Sequence, residues 1–455
     1  MKSRGLFQTL VILIVALPLS AASDSAVLEL ESRRELLVDR FLIDTLENAS
    51  LILHHPVQAP LSTTQPRGAY VTILLDAGKY RMYYRSEIPG YNGSRFDGNP
   101  GEITCYAEST NGIDWTLPNL GLHEINGSKS NNAILVNASP FSHNFTPWID
   151  TRPGCPADEK YKALAGTHKG GGLFAFISAD GIHWTRPSDK PLITSEAFAF
   201  DSQNVAFWSE TENQYVCYYR SWQTPHGELR TISRTTSPDF VRWSKAVATN
   251  PNLPGEQLYT SGTHPYFRAP HLLIAPATRF VPDRNSSTEI VLMSSRGGDR
   301  FDRTFLETFI RPGLDPARWQ NRANYVAWHI VPTSPEEMSM YIENLRYILR
   351  TDGFASINAG YDGGRLMTKP VSFTGSQLWL NYSTSASGAI RIEIQTPDGK
   401  AVEGFALKDC PPIVGDAIDQ QVRWKDNANL SSLAEKPIRL VFELKDADLF
   451  SVQFR

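Results

Sequence analysis

Ser178-Ala-Asp-Gly-Ile-His-Trp184 carries three instructions in seven residues. Ser178 and Asp180 can accept hydrogen bonds from the backbone just ahead of them, and Gly181 tolerates a left-handed φ. Trp184 then offers a large apolar face directly after the turn. The same sense recurs in Ser109-Thr-Asn-Gly-Ile-Asp-Trp115, Thr236-Ser-Pro-Asp-Phe-Val-Arg-Trp243, Ser295-Arg-Gly-Gly-Asp-Arg-Phe301 and Thr351-Asp-Gly-Phe354. The closing aromatics are separated by 69, 59, 58 and 53 residues. Spacing a little above the about 40–50 residues of common propeller repeats, with several short strands per interval, predicts five blades. A blade is a small twisted sheet that cannot bury both faces alone, so it must stack on its neighbours around an axis. The turns are structural in this reading, and chemistry collects at a mouth of the central channel.

Between the turns lie β-branched and aromatic runs bounded by Gly, Pro, Asn or Asp: Tyr80–Tyr84, Tyr161–Ala165, Tyr215–Tyr219 and Glu289–Met293. They read as interior strands of successive blades, expected near 64–120, 130–195, 198–250, 256–310 and 320–362. Glu35-Leu-Leu-Val-Asp-Arg-Phe-Leu-Ile43 precedes the first blade, and Leu36–Ile43 is the candidate strand to close the last one and hide its edge. Beyond Gly364 the pattern becomes short strands of period two, such as Leu378–Tyr382, Ile390–Ile394, Ile438–Phe442 and Phe450–Phe454, with turns such as Asp398-Gly399. These predict a β-sandwich. The fold class is all-β: a five-bladed β-propeller over 23–362 followed by a sandwich over 363–455.

The chain has 455 residues, 41% hydrophobic and 11% aromatic, with a net charge of −4. No lysine/arginine block marks a nucleic-acid surface, and no Gly-rich loop opens a helix to hold a nucleotide. Lys2 and Arg4 precede the apolar run Leu10–Leu17 and the small residues Ser20, Ala21 and Ala22. That is the pattern of a signal peptide over residues 1–22, predicting a secreted or periplasmic protein with no membrane attachment after cleavage. Cys105 and Cys217 sit in strand-like runs and read as buried small hydrophobes. Cys155 and Cys410 lie in turns where export would permit a bridge. No cluster has metal-ligand spacing, and neither a metal nor another cofactor is expected.

The order of parts resembles the propeller glycoside hydrolases, both the invertase/levanase group and the arabinanase/β-xylosidase group. A nearer resemblance is to secreted bacterial proteins related to glycoside hydrolase family 32. It rests on Leu37-Val-Asp-Arg-Phe-Leu-Ile-Asp44, Leu53-His-His-Pro56, Phe200-Asp-Ser-Gln-Asn204, Tyr259-Thr-Ser-Gly-Thr-His-Pro265, Val331-Pro-Thr-Ser-Pro-Glu336 and the module from Gly364-Arg-Leu-Met-Thr-Lys-Pro370 to Arg455. The resemblance implies a glycosidase fold and a carbohydrate substrate. One departure stands out. Where invertase-like enzymes carry their nucleophile, this chain reads Gln65-Pro-Arg-Gly-Ala-Tyr70, without a carboxylate.

Residues at the heads of the inner strands should face the channel mouth. Those expected to bind substrate are Arg67, Tyr70, Asn144, Trp148, Gln203, Asn204, Tyr259, His264, Arg268, Arg322 and Asn324. Sugar sites need such a mixture, with amides and guanidinium groups for hydroxyls and aromatic faces for C–H stacking. Glycosidic hydrolysis needs two carboxylates. Asp201 is the expected base, Glu256 the expected acid, and Glu343, on the fifth blade, a third catalytic candidate. With no first-blade nucleophile, inversion is favoured over retention. The same residues leave open a non-catalytic glycan-binding or scaffold propeller, and a uronate lyase using His264 and Tyr259. The sugar, its linkage and the oligomeric state are not encoded legibly.

Overall fold

The computed structural model describes residues 27–425 and 427–455, so the leader expected over residues 1–22 lies outside the described residues. Five small antiparallel sheets form the propeller. The first blade runs Ala69–Asp76, Lys79–Glu87, Glu102–Ser109 and Ala133–Leu135 from inside out. The second is Thr146–Ile149, Tyr161–Ala165 and Phe174–Ser178; the third is Val205–Ser209, Gln214–Thr224, Gly227–Ser237 and Val247–Ala248. In the fourth, Gln257–Leu258 and His264–Tyr266 both pair with Ala269–Val281, followed by Ser287–Ser295 and Thr308–Ile310. The fifth is Val331–Pro332, Glu337–Ile342 and Leu345–Arg350, completed by Val57–Gln58.

Two expectations change here. The closing strand is Val57–Gln58, paired with Tyr347 and Ile348, and not Leu36–Ile43. Ala133–Leu135, expected to open the second blade, is instead the outer strand of the first.

The first three of the repeated turns close as their residues suggested. Asp180 Oδ1 accepts the N–H groups of Ile182 and His183 at 2.8 Å each, and Ser178 Oγ accepts that of Gly181 at 2.9 Å. Gly181 takes φ +76°. Each turn delivers an aromatic ring onto the preceding blade. Trp115 meets Tyr341 at 6.1 Å, Trp184 meets Tyr83 at 6.4 Å and Phe301 meets Tyr218 at 5.4 Å between centroids. Phe354 meets Tyr266 at 5.4 Å. In the third blade Phe240, at the position glycine holds elsewhere, makes this contact with Trp148 at 5.4 Å, and Trp243 backs it at 6.0 Å. Aromatic pairs of this kind add roughly 0.5–1.5 kcal/mol each beyond the area they bury.

The second module is built on two long strands, Leu378–Gln395 and Arg439–Phe454. Their register breaks between Thr384 and Ala389, so the pair bends from one layer of the sandwich into the other. Gly388 sits at the bend, where a Cβ would lie 2.4 Å from the Asp446 carbonyl oxygen. Ile390, Ile392, Ile394, Leu440, Phe442, Leu444, Trp424 and Phe454 form its core. Residues ahead of the propeller complete it: Arg34–Leu36 pairs with Gln453–Ser451, Ile43–Glu47 with Thr368–Arg365, and Ser50–Leu53 with Asn358–Ala355. Residues 28–53 and 355–359, which the expected division placed with the propeller, thus pair within this module. All four cysteines are free, and Cys105, Cys217 and Cys410 are buried.

Asp352 welds the two modules. It is fully buried and accepts from Arg268 Nη1 and Tyr266 OH of the fourth blade at 2.8 Å each. From the sandwich it accepts Ser451 Oγ at 2.8 Å, Asn381 Nδ2 at 3.1 Å and Arg34 Nη1 at 3.3 Å. Arg268, expected to grip substrate, is therefore a structural ion-pair partner, shared with Asp419 at 2.9 Å. Asp352→Asn would leave the buried Arg34 guanidinium under-compensated. Chemical unfolding should show a loss of about 3–5 kcal/mol; a loss below about 1 kcal/mol would contradict the role given to Asp352.

Candidate active site

The heads of the five inner strands and the segments before them converge at one mouth, bringing Tyr70, His143, Asp201, Tyr259 and Tyr325 together. Tyr70 and Tyr325 stack at 6.1 Å, and Tyr259 and Tyr325 lie 5.4 Å apart. Tyr70 meets His143 edge-on at 5.6 Å. The backbone is bent to achieve this: Tyr70, Phe200, Arg322 and Glu343 have φ of 48°, 67°, 66° and 52°. Left-handed φ at bulky side chains is uncommon and costs energy that the surroundings must supply. Phe200, packed at a tilt 4.9 Å from Tyr219, fixes the direction in which Asp201 projects.

Asp201 is partly exposed and accepts the Tyr259 hydroxyl at 3.1 Å. Arg220 Nη2 stands 3.1 Å from the same oxygen, Oδ2, but off the N–H axis, so the pair is ionic without a hydrogen bond. His143 Nε2 is 3.8 Å from Asp201 Oδ1 and 4.0 Å from Asp97 Oδ1, facing the gap between the two carboxylates. Its Nδ1 lies 3.0 Å from both Glu102 oxygens and 2.7 Å from Arg85 Nη1.

Burial acts to raise the Asp201 carboxyl, but His143 and Arg220 outweigh it and hold the group below its ordinary value. Burial likewise acts to lower His143, and the carboxylates of Asp201 and Glu102 outweigh it, so the imidazolium persists above the usual histidine range. In that form Nδ1–H donates to Glu102, and Arg85 turns to the His143 carbonyl at 3.1 Å. Burial raises Tyr70, Tyr259 and Tyr325, which stay phenols and act as donors.

Asp97, His143 and Asp201 could also share a metal ion, since their ligand atoms lie within 4.8 Å of one another. Glu102 would then orient the imidazole in the way carboxylates often back a metal-bound histidine. That arrangement requires a bare Nε2, whereas the surrounding carboxylates favour a proton there.

Several expected residues are elsewhere. Glu256 is held by Arg303 at 2.9 and 3.1 Å and by Arg279 at 3.4 Å, and accepts the Leu253 N–H at 3.0 Å. Against the pull of burial, these partners keep it ionised, and no hydrogen bond or ion pair joins it to Asp201. It is poorly suited to donate a proton. Glu343 lies in the hairpin turn after Glu337–Ile342, exposed, and not on a middle strand; it borders a small cavity with Tyr70, Arg85, Arg322 and Tyr325.

Asn144 donates to the carbonyls of Gly166, Phe200 and Ser202 at 2.8, 2.9 and 3.1 Å, and Asn204 to the latter two. Gln203 reaches across the axis to the Val71 carbonyl at 3.0 Å and Thr72 Oγ1 at 2.9 Å. Asn324 donates to the carbonyls of Thr288 and Arg318 at 2.7 and 2.8 Å. These amides build the scaffold. Trp148 is buried beside the opposite mouth with Ile73 and Phe207, and Arg67 bonds Asn344 at 3.2 Å on the exterior.

Asp201, Tyr70, Tyr259 and Arg322 thus gather as expected, while His143, Tyr325, Asp97, Glu102, Arg85, Arg220 and Arg230 were not anticipated. Hairpin arithmetic would have found the first two of the three arginines. Counting back from the Asp76–Lys79 pair sets Tyr70 opposite Arg85, which a bulge then shifts to Ala69, and the Ser209–Gln214 pair carries the count from Val205↔Tyr218 to Gln203 opposite Arg220.

His264 is buried, with Nδ1–H donating to the Gly262 carbonyl at 2.8 Å and Nε2 accepting the Ile330 N–H at 3.2 Å. Both nitrogens of a neutral ring are used, so it can neither bond substrate nor serve a lyase. Burial pushes it down from 6.5 to about 4. Between those values the unfolded chain binds a proton that the folded chain refuses, so stability falls with falling pH, on the order of 3 kcal/mol in full. Thermal unfolding of His264→Gln should therefore lose less between pH 6.5 and pH 4 than wild type does; parallel curves would contradict this.

No family model matches the sequence, and no curated protein matches it. Among solved structures, the chain is similar to a glycoside hydrolase family 43 arabinoxylan arabinofuranohydrolase from Bacillus subtilis, at 14% identity and TM-score 0.40, over 86% of this chain and 96% of that one. It is similar to an endo-arabinase from Bacteroides thetaiotaomicron at 10% identity and TM-score 0.41, over 66% and 96%. An N-acetylgalactosamine deacetylase from F. plautii matches at 11% identity and TM-score 0.40, over 88% and 95%.

Proposed function

We propose that this protein is an exported carbohydrate-active enzyme that hydrolyses a glycosidic bond at the Asp201 mouth. The observation that carries the reading is Asp201 itself. It is a partly exposed carboxylate kept ionised by His143 and Arg220, set beside the rings of Tyr70, Tyr259 and Tyr325. Aromatic rims suit sugar C–H faces, and hydroxyl and guanidinium donors suit sugar oxygens.

Asp201 would act as nucleophile or base. The proton donor would be Asp97, half-exposed across the gap, or the His143 imidazolium, whose Nε2–H points into it. Ligand oxygens of Asp97 and Asp201 lie within 4.8 Å of each other. That is nearer the about 5–5.5 Å of retaining pairs than the about 6.5–9.5 Å of inverting ones, so with Asp97 as the donor this reading favours retention, where the sequence alone favoured inversion. A binding-only role is favoured by one fact: Glu102 and Asp201 both already face cationic partners, Arg85 and His143 for the first and Arg220 for the second.

A glycan-hydrolysis screen separates the two. On whichever substrate is cleaved, Asp201→Asn should lower kcat by about 10²–10⁴-fold. Glu256→Gln should lower the melting temperature and leave kcat within a few-fold. Full activity in Asp201→Asn, or cleavage of nothing by wild type, would count against catalysis at this mouth.

A further inference from the structure

Four guanidinium groups surround the mouth: Arg85, Arg220, Arg230 and Arg322. Three have a carboxylate within reach, Arg220 with Asp201 at 3.1 Å, Arg85 with Glu102 at 3.7 Å and Arg322 with Asp97 at 3.8 Å. Arg230 makes no ion pair among the described residues, bonding only Gln257 Oε1 at 2.5 Å through its side chain. The His143 imidazolium adds to the excess. The local balance is therefore positive in a protein whose net charge is −4.

The unpartnered atoms point the same way. The Arg220 side chain is fully buried, yet Nε, Nη1 and Nη2 all lack a hydrogen-bond partner. So do Arg230 Nε, Trp222 Nε1 and the Tyr325 hydroxyl. These groups are neighbours. Arg220 and Arg230 lie over the Trp222 ring at 5.4 and 4.4 Å and over the Tyr259 ring at 5.2 and 5.1 Å. All can donate, and the guanidinium and indole groups cannot accept. Leaving buried donors unmet is costly, and more so for charged ones. The ligand that relieves them must be rich in acceptors and negatively charged. A neutral hydroxyl would satisfy one donor and compensate no charge. Trp222 also borders a groove of about 630 Å³, shared with Tyr219, Ser221 and Trp243, through which a longer chain can extend.

We propose that the substrate is an acidic glycan whose anionic group, a carboxylate or a sulfate ester, docks against Arg220, Arg230 and Trp222 beside Asp201. This rests on the carbohydrate reading above and names the sugar class for the same mouth. Planar guanidinium groups hold both oxyanions in paired hydrogen bonds.

The test is calorimetric titration of the whole protein with galactose, galacturonic acid and galactose 6-sulfate at low and high salt. Galacturonic acid, galactose 6-sulfate or both should bind at least about tenfold tighter than galactose, and the gap should shrink with salt. The two acidic probes separate carboxylate from sulfate. Arg230→Gln, half-exposed and thus less disruptive than a change at the buried Arg220, should erase the preference without lowering the melting temperature by more than a few degrees. Equal binding of galactose and both acidic sugars, or a preference unchanged in Arg230→Gln, would overturn the acidic-glycan proposal alone. Binding of no sugar would overturn it together with the carbohydrate reading beneath it.

Discussion

The first inner strand is joined to the fifth by backbone hydrogen bonds, Ile73 N–H to the Trp328 carbonyl at 3.0 Å and Trp328 N–H to the Val71 carbonyl at 2.8 Å. Everything above that joint depends on it. With only Val57–Gln58 as a closing strand, the outer edge supplies little of the closure. The ring is held from its centre by this seam and by Gln203, which bonds the Val71 carbonyl from the third blade. It is held from its periphery by one aromatic contact per blade boundary. Radial closure brings Asp201 beside Tyr70 and Tyr325, residues more than a hundred positions away in sequence.

Buried charge is handled in two contrasting ways. Around Asp352 and Glu256, several donors meet one carboxylate, and the groups are locked. Such clusters define which surfaces meet more than they add stability, since desolvation consumes most of the Coulomb attraction. Around Asp201 the accounts stay open, with arginine, indole and phenol hydrogens lacking partners. Saturation marks the joints of this molecule, and want of acceptors marks its mouth.

The fold was legible where information is local. Ser178, Asp180 and Gly181 satisfy their turn within a few residues, so five turns and the runs between them sufficed for the propeller. Leu36–Ile43 shows the limit: its apolar run says strand, but only its ends pair, Leu36 with Ser451 and Ile43 with Thr368, and nothing in it names those distant partners. Val57–Gln58 is too short to show any period. At the site, Tyr70, Asp201, Tyr259 and Arg322 were visible because they head inner strands. Arg220 and Arg230 sit on the next strands of the third blade, and only register brings them near. Glu256 misled because its partners, Arg279 and Arg303, lie 23 and 47 residues away and cannot be inferred from its own neighbourhood.

The strands at residues 34–36, 43–47 and 50–53 find their partners only in residues 355–368 and 451–453. A ribosome releases the early strands long before the late ones exist. Until those partners are made, the early strands remain bare edges able to pair with the wrong chain. Assembly of the sandwich therefore waits for residues 355–368 and 451–453. Maturation of this protein should lean on whatever keeps nascent chains apart, and damage to residues 451–453 should be felt at residues 34–36.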